Sequence, residues 1–209
     1  MRTSRTLVLL AAVTALATGC HSSTSGSAAG SPSGSPSGSQ SEGTSGSAAP
    51  TGPASEGLAT CRTSSLRITL DTSLASGAAG STYYPIDLTN TSGVPCELAG
   101  YPGVSFVTAA DGTGRQIGAA AQRNPQFGSV VVRLDSGGHA HAWLQVAQAG
   151  NYPASSCSPA TAHGLRVYPP DETQAGYIQQ DLPACAIASA QVLTVLPVRG
   201  GEGARGIVP

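Results

Sequence analysis

Two histidines, His139 and His141, lie two residues apart in a stretch that alternates between polar and apolar side chains. On a β-strand this spacing places both imidazoles on the same face. Neutral imidazole binds copper and zinc well, so the pair could supply two metal ligands, with His163 as a distant third. The same face carries Trp143 and Gln145, however, while the alternate residues are apolar. We therefore interpret it as a solvent-facing strand surface and keep copper or zinc binding as the alternative.

Hydrolase chemistry would need a nucleophile, a base and an orienting acid. The sequence contains no Gly-x-Ser-x-Gly motif, so a triad based on His141 or His163 would be arbitrary. A carboxylate pair for glycoside hydrolysis would have to come from Asp111, Asp135, Asp171, Glu172 and Asp181. We interpret the first two as turn residues and the adjacent pair as a solvated loop. We therefore predict no enzymatic activity, no catalytic residues and no cofactor, with a hydrolase as the least favoured reading.

Four cysteines, Cys61, Cys96, Cys157 and Cys185, are spread over the second part of the chain. In an exported protein an even number predicts disulfides, here two. Three pairings can be drawn, and we expect Cys61–Cys96 and Cys157–Cys185 because each closes a local loop. Loops of this size would contribute roughly 3.5–4 kcal/mol each in the chain-entropy model. The absence of a Cys-x-x-Cys pair argues against a redox role.

The fifth cysteine, Cys20, ends the sequence Leu-Ala-Thr-Gly-Cys at 16–20. Two arginines and an apolar run from Thr6 to Ala17 precede it. The run is too short to span a bilayer, which needs about 20 residues, but it fits the apolar region of a signal peptide. The order resembles the signal peptide of a bacterial lipoprotein, in which the cysteine is diacylated and becomes the first mature residue. Two acyl chains suffice for stable anchoring.

This pattern predicts a signal peptide over 1–19, lipidation of Cys20 and a location on the extracytoplasmic face of the cell membrane. A plain secretory signal peptide is the alternative. Residues 21–57 are almost all Ser, Gly, Ala, Pro and Thr. Such a composition buries too little apolar surface to fold, so we predict a disordered tether over 20–57. Its root-mean-square reach would be roughly 33 Å.

The net charge excludes some classes of partner. Removal of 1–19 takes away two of the ten basic residues and leaves eleven acidic ones, so the formal charge becomes 8 − 11 = −3. Phosphate binding needs clustered cations, so we predict that nucleic acid is not a partner. The same weakly acidic character argues against electrostatic binding to a membrane surface.

Short alternating runs separated by turn residues follow Cys61 and predict β-strands. The predicted strands are 66–70, 84–88, 104–107, a short one from 115, 130–134, 139–146, 165–168 and 191–198. Asp111-Gly112 predicts a hairpin turn, and 135–138 predicts a second one. Seven or eight short strands without a helical period favour an all-β fold, an antiparallel immunoglobulin-like sandwich over 58–199. A small barrel is the alternative, and we expect 200–209 to form a flexible tail.

Exposed aromatic residues are the best candidates for a contact surface. The candidates are Tyr101, Trp143, Tyr152 and Tyr168. For Tyr101 the sequence Gly-Tyr-Pro-Gly also predicts a tight bend beside the bridge at Cys96.

The order of the four later cysteines and several short motifs resembles one known family. The motifs are Leu-Thr-Asn-Thr-Ser-Gly at 88–93, Gly-Tyr-Pro-Gly-Val at 100–104, Asp-Gly at 111–112 and Val-Tyr-Pro-Pro at 167–170. The chain is similar, over about residues 61–198, to actinobacterial envelope proteins that carry the "domain of unknown function 4232", many of which are lipoproteins. The resemblance implies an actinobacterial host, an extracytoplasmic compartment and a β-sandwich-like domain. It implies no catalytic residue.

The sequence as a whole therefore predicts a lipid-anchored, non-catalytic binding or scaffolding module of the cell envelope. The expected partners are the bilayer, reached through the acylated Cys20, and an envelope protein or glycan.

Overall fold

A computed structural model describes residues 57–204. The predicted signal peptide, Cys20 and the tether up to residue 56 lie outside the described residues. The strands are β1 Leu66–Leu70, β2 Ser76–Ala78, β3 Ser81–Asn90, β4 Cys96–Ala99, β5 Gly103–Val107, β6 Gln116–Ile117, β7 Gln122–Arg123, β8 Val131–Leu134, β9 His139–Ala147, β10 Pro159–Tyr168, β11 Gly176–Cys185, β12 Leu193–Val195 and β13 Arg199–Gly200. The helices are the 3-10 turns η1 Thr63–Ser65, η2 Pro125–Phe127 and η3 Ala149–Asn151, and the α-helix α1 Ala154–Cys157. Within this part of the chain, no helix has the length and apolarity needed to cross a membrane.

The strands form three sheets. The largest has the order β1-β3-β9-β12-β7, with β2 pairing to β3 and β13 pairing to β9; a second has the order β11-β10-β5-β6; and β4 pairs with β8. The named pairs are antiparallel except β7 with β12, which is parallel. Within residues 57–204 the sheets stay open and form a sandwich, so the predicted all-β sandwich is confirmed and the barrel alternative is wrong.

Alternation along the long strands builds the core between the sheets. Ala140, Ala142 and Leu144 of β9 point inward and are fully buried. They belong to one buried cluster with Phe106 and Leu165 of the four-stranded sheet. The chain contains only one Trp and two Phe, so aliphatic side chains fill most of this space.

Both expected disulfides are present. Cys61 is bonded to Cys96 and Cys157 to Cys185, with sequence separations of 35 and 28. All four residues are buried. By the chain-entropy model, loops of these lengths stabilise the folded state by about 3.6–3.8 kcal/mol each.

The expected hairpin between 130–134 and 139–146 is wrong. β8 pairs with β4, whereas β9 pairs with β3, so the turn between them connects two sheets. Asn90, at the end of β3, holds this connection: its backbone N–H donates to the Gly138 carbonyl, and its own carbonyl accepts from Gly137. Local turn signals identify a reversal of the chain, but not which strands pair across it.

The side chain of Asn90 is fully buried and saturated with hydrogen bonds. Its Nδ2 lies 2.9 Å from the Val94 carbonyl oxygen and 3.2 Å from those of Leu134 and Asp135. Its Oδ1 accepts from the N–H and hydroxyl of Ser92 at 3.0 and 2.7 Å. The amide therefore ties together the loop after β3 and the end of β8.

Of the predicted flexible tail, 200–209, only residues 200–204 are described, and these first residues do not leave the domain. Arg199 and Gly200 pair with β9, and the Gly201 N–H donates to the His139 carbonyl. Gly203 is buried so closely against Pro85 that a Cβ there would lie 2.3 Å from the proline Cβ. Residues 199–203 are thus held on the seven-stranded sheet, and we name them the C-terminal strap. The glycine-rich sequence of this segment did not predict that it would pack on the sheet.

We predict that Asn90→Ala lowers the free energy of unfolding by about 3 kcal/mol, because it leaves buried carbonyl and N–H groups without partners. Urea unfolding of the purified protein measures the change. Asn124→Ala is the control, because Asn124 Oδ1 accepts one bond, at 3.0 Å from Gln126 N, near the surface. Its cost should be about 1 kcal/mol. Equal losses in the two variants would contradict the role assigned to Asn90.

Candidate functional site

The two predicted histidines lie on the outer face of the seven-stranded sheet. On β9, His139 is opposite Thr89 of β3, and His141 is opposite Asp87. Together with Arg67 and residues of the strap, this face forms a small cleft of about 200 Å³. The shared face expected for the two histidines is therefore present.

Both imidazoles contact the strap. His141 Nδ1 lies 2.9 Å from the Gly201 carbonyl oxygen. Because a carbonyl only accepts, Nδ1 carries the hydrogen and Nε2 is the acceptor in the neutral ring. His139 Nδ1 lies 3.2 Å from Thr89 Oγ1 and 3.4 Å from Glu202 Oε1. The histidines thus help to hold the strap on the sheet.

The metal alternative gains no support from this geometry. Among residues 57–204, no group of three or more His, Cys, Asp or Glu side chains is arranged to hold a metal ion. The third imidazole, His163, lies on β10 of the other sheet.

Asp87 is a half-buried carboxylate between the histidines and the strap. Its Oδ1 accepts from the Gly203 N–H at 3.1 Å. Burial raises the pKa of the Asp87 carboxyl above its ordinary value, although the Gly203 N–H and the nearby His141 act in the opposite direction. The folded protein therefore favours the neutral form of this group more than the unfolded chain does.

The predicted aromatic contact residues are less accessible than expected. Trp143 is only 4% exposed, so its assignment to a solvent-facing surface is wrong. Tyr101 packs against the core and donates a hydrogen bond from its hydroxyl to the Asn124 carbonyl at 2.9 Å. The Arg123 guanidinium lies 6.0 Å from the Tyr101 ring centroid. Tyr101 is thus held by the core and by residues 123 and 124.

The other two candidate tyrosines are also partly buried. Tyr152 packs against the core and its hydroxyl donates to the Gln191 carbonyl at 2.9 Å. Tyr168, the last residue of β10, has the Arg166 guanidinium 5.8 Å from its ring centroid.

A larger groove of about 490 Å³ lies on the outer side of the four-stranded sheet. We name it the β10–β11 groove, and it is lined by Thr108, Ala109, Ala110, Asp111, His163, Gln179 and Asp181. One wall is the turn between β5 and β6, which confirms the predicted hairpin at Asp111-Gly112. The turn can approach the sheet because Gly164 has no side chain: a Cβ there would lie 2.5 Å from the Ala110 Cβ.

A β-bulge shapes the opposite wall of the groove. The pairing of β10 with β11 shifts between Ala162 and Gly164, so His163 faces two residues, Gln180 and Asp181. His163 Nδ1 lies 2.9 Å from Asp181 Oδ1. Bulges redirect side chains and are frequent beside functional sites. The sequence did not indicate this pair, since β11 contains a proline and adjacent polar residues and was not predicted as a strand.

The remaining candidate carboxylates either stabilise turns or hold distant parts of the chain together. Asp111 Oδ1 accepts from the N–H and hydroxyl of Thr113 at 2.9 and 2.7 Å, and these bonds, the hydroxyl first, lower the pKa of Asp111. Asp135 accepts at its carbonyl from Gly138 N, so both are turn residues as predicted. Glu172 is not simply solvated, because its Oε2 accepts from the N–H and hydroxyl of Thr63 at 3.0 and 3.1 Å.

We predict that Asp87→Asn raises the melting temperature at pH 7 but not at pH 3. At pH 7 the wild-type carboxylate is ionised and partly desolvated, whereas below its unfolded pKa it is neutral in both states, so the penalty disappears. The matched control is Asp111→Asn, which should lower the melting temperature at pH 7 because the pKa of Asp111 is shifted downward. A destabilised Asp87→Asn protein at pH 7 would contradict the prediction.

Comparison with known proteins identifies one related family. The family model described as "Domain of unknown function (DUF4232)" matches residues 61–199. The matched segment begins at Cys61 and ends in β13, so it contains both disulfides, both histidines of β9 and the β10–β11 groove. No curated protein and no solved structure matches the chain significantly.

Proposed function

The chain belongs to the family of the domain of unknown function (DUF4232), and we propose that it is a lipid-anchored, extracytoplasmic binding or scaffolding module of the cell envelope. The proposal includes an actinobacterial origin, which the resemblance implied. The observation that carries it is the division of the five cysteines into two disulfides and one remaining residue, Cys20.

The disulfides support export from the cytoplasm. Cys61–Cys96 and Cys157–Cys185 are both buried within the folded domain. Structural disulfides persist in oxidising compartments and are rare in the reducing cytosol. An exported chain needs a signal peptide, and the basic and apolar residues before Cys20 match one.

The position of Cys20 supports lipidation. Since the other four cysteines pair with one another, Cys20 is the residue left over from the count of five. An odd cysteine in an exported protein requires an explanation. The position of Cys20 at the end of Leu-Ala-Thr-Gly-Cys supplies this explanation. Acylation of its sulfur would remove the reactive thiol and anchor the protein.

A binding role fits the side chains of the domain better than catalysis. The histidines of β9 are occupied by the strap, and Asp111 and Asp135 stabilise turns. The weakly acidic surface disfavours nucleic acid. An envelope protein or glycan is therefore the proposed partner.

Expression of the complete chain with Cys20→Ser in an actinobacterial host tests the anchor. We expect the wild-type protein to partition into the detergent phase of Triton X-114, and the variant to move to the aqueous phase because it lacks acyl chains. Ser22→Ala is the matched control and should behave as wild type. Mass spectrometry of the wild type should find a diacylated N-terminal peptide that begins at Cys20.

Identical partitioning of wild type and Cys20→Ser would contradict the anchor. An aqueous wild-type protein secreted into the medium would favour the plain secretory signal peptide instead.

A further inference from the structure

We propose that the β10–β11 groove binds a neutral glycan, with the ring of Tyr177 as the stacking surface and Gln179, His163 and Asp181 as hydrogen-bonding groups. The inference rests on the proposed function for its biological setting, since it names the partner class of an envelope binding module. The binding itself can be measured independently of the anchor.

The size and form of the groove suit a small polar ligand. At about 490 Å³ it lies within the range of roughly 300–1,000 Å³ found for small-molecule sites. Its shape is fixed by backbone: the β5–β6 turn is seated on Gly164, and Gly114 holds the turn so tightly that a Cβ there would lie 2.1 Å from the Ala109 carbonyl oxygen. A site of this kind is already formed before the ligand arrives.

Tyr177 provides an exposed aromatic surface next to the groove. It is 38% exposed, which makes it the one aromatic residue among the exposed large hydrophobic side chains of residues 57–204. It lies two residues before Gln179 on β11, so both side chains are on the same face. At the tip of the turn, Gly112 adjoins its ring: a Cβ there would lie 3.6 Å from Cε2. A tyrosine ring can stack on the C–H face of a sugar, and its hydroxyl can hydrogen-bond to the sugar hydroxyls.

The polar groups of the groove can both donate and accept. The Gln179 amide makes no side-chain hydrogen bond to another described residue and offers a donor and an acceptor. Because His163 Nδ1 faces the Asp181 carboxylate at 2.9 Å, the neutral ring presents Nε2 as an acceptor. Sugar hydroxyls, which donate and accept, match such a mixed set.

The charges of the side chains that line the β10–β11 groove favour a neutral glycan over an anionic one. Asp111 and Asp181 line the groove, and none of the arginines among residues 57–204 does. Each carboxylate already has one oxygen occupied internally, by Thr113 and by His163. A uronic acid or phosphate would meet uncompensated like charge, whereas a neutral sugar would not. Without an arginine among its described lining residues, the groove disfavours anionic polysaccharides and phosphate-bearing ligands.

The test is an array of neutral, amino-sugar and uronic-acid oligosaccharides, probed with the complete mature protein in a detergent without a sugar headgroup. We expect binding to neutral oligosaccharides. Isothermal titration with a bound oligosaccharide should then show that Tyr177→Ala weakens affinity about tenfold or more, and Gln179→Ala about fivefold. Tyr177→Phe should retain most of the affinity because it keeps the ring.

Tyr83→Ala is the matched control, because Tyr83 lies on β3 of the opposite sheet and is only partly buried. It should bind as wild type. Unfolding curves of all variants confirm that they fold. Absence of binding to every neutral oligosaccharide, selective binding of uronic acids, or equal loss in Tyr83→Ala and Tyr177→Ala would each overturn the proposal. These outcomes leave the membrane anchor unaffected, since partitioning of Cys20→Ser tests that separately.

Discussion

The buried amide of Asn90 is the contact on which the arrangement of the sheets depends. It completes the hydrogen bonding of carbonyls at the end of β8 and in the loop after β3, while its backbone pairs with the turn at Gly137 and Gly138. A buried polar group is tolerated only when it is satisfied, so this geometry admits few alternatives. The β4–β8 pair is thereby fixed against the end of the seven-stranded sheet, and β9 enters that sheet in register with β3.

The two outer faces of the sandwich differ in how much of their polar surface is covered by other parts of the chain. On the seven-stranded sheet, the C-terminal strap contacts the histidines of β9 and the carboxylate of Asp87. The histidines, which the sequence offered as metal ligands, therefore serve the fold. On the four-stranded sheet, a turn seated on Gly164 leaves a groove beside it. The face that carries the two histidines is therefore the more occupied one, and the face that carries the β10–β11 groove is the more open one.

Sequence patterns predicted what is local and missed what is created by pairing. The strands at 66–70 and 104–107, the turn at Asp111 and the two nearest-neighbour disulfides were all confirmed. β11 was missed because Pro183 and three consecutive polar residues interrupt its alternation. The burial of Trp143 was missed because alternation assigns a face but does not show whether another segment covers it. The His163–Asp181 pair depends on a shift of register, which no single strand records.

The bridge between Cys61 and Cys96 has a mechanical consequence. Thr60 pairs with Glu97, and Cys61 is the first cysteine of the domain. A pull applied to the chain before Cys61 is therefore transmitted through the covalent bridge directly to β4. The intervening loop, which contains β1 to β3, lies outside this load path and cannot be peeled from the sheet by tension at the N-terminal end. Tension applied before Cys61 can thus act on the domain without pulling β1 away from the seven-stranded sheet.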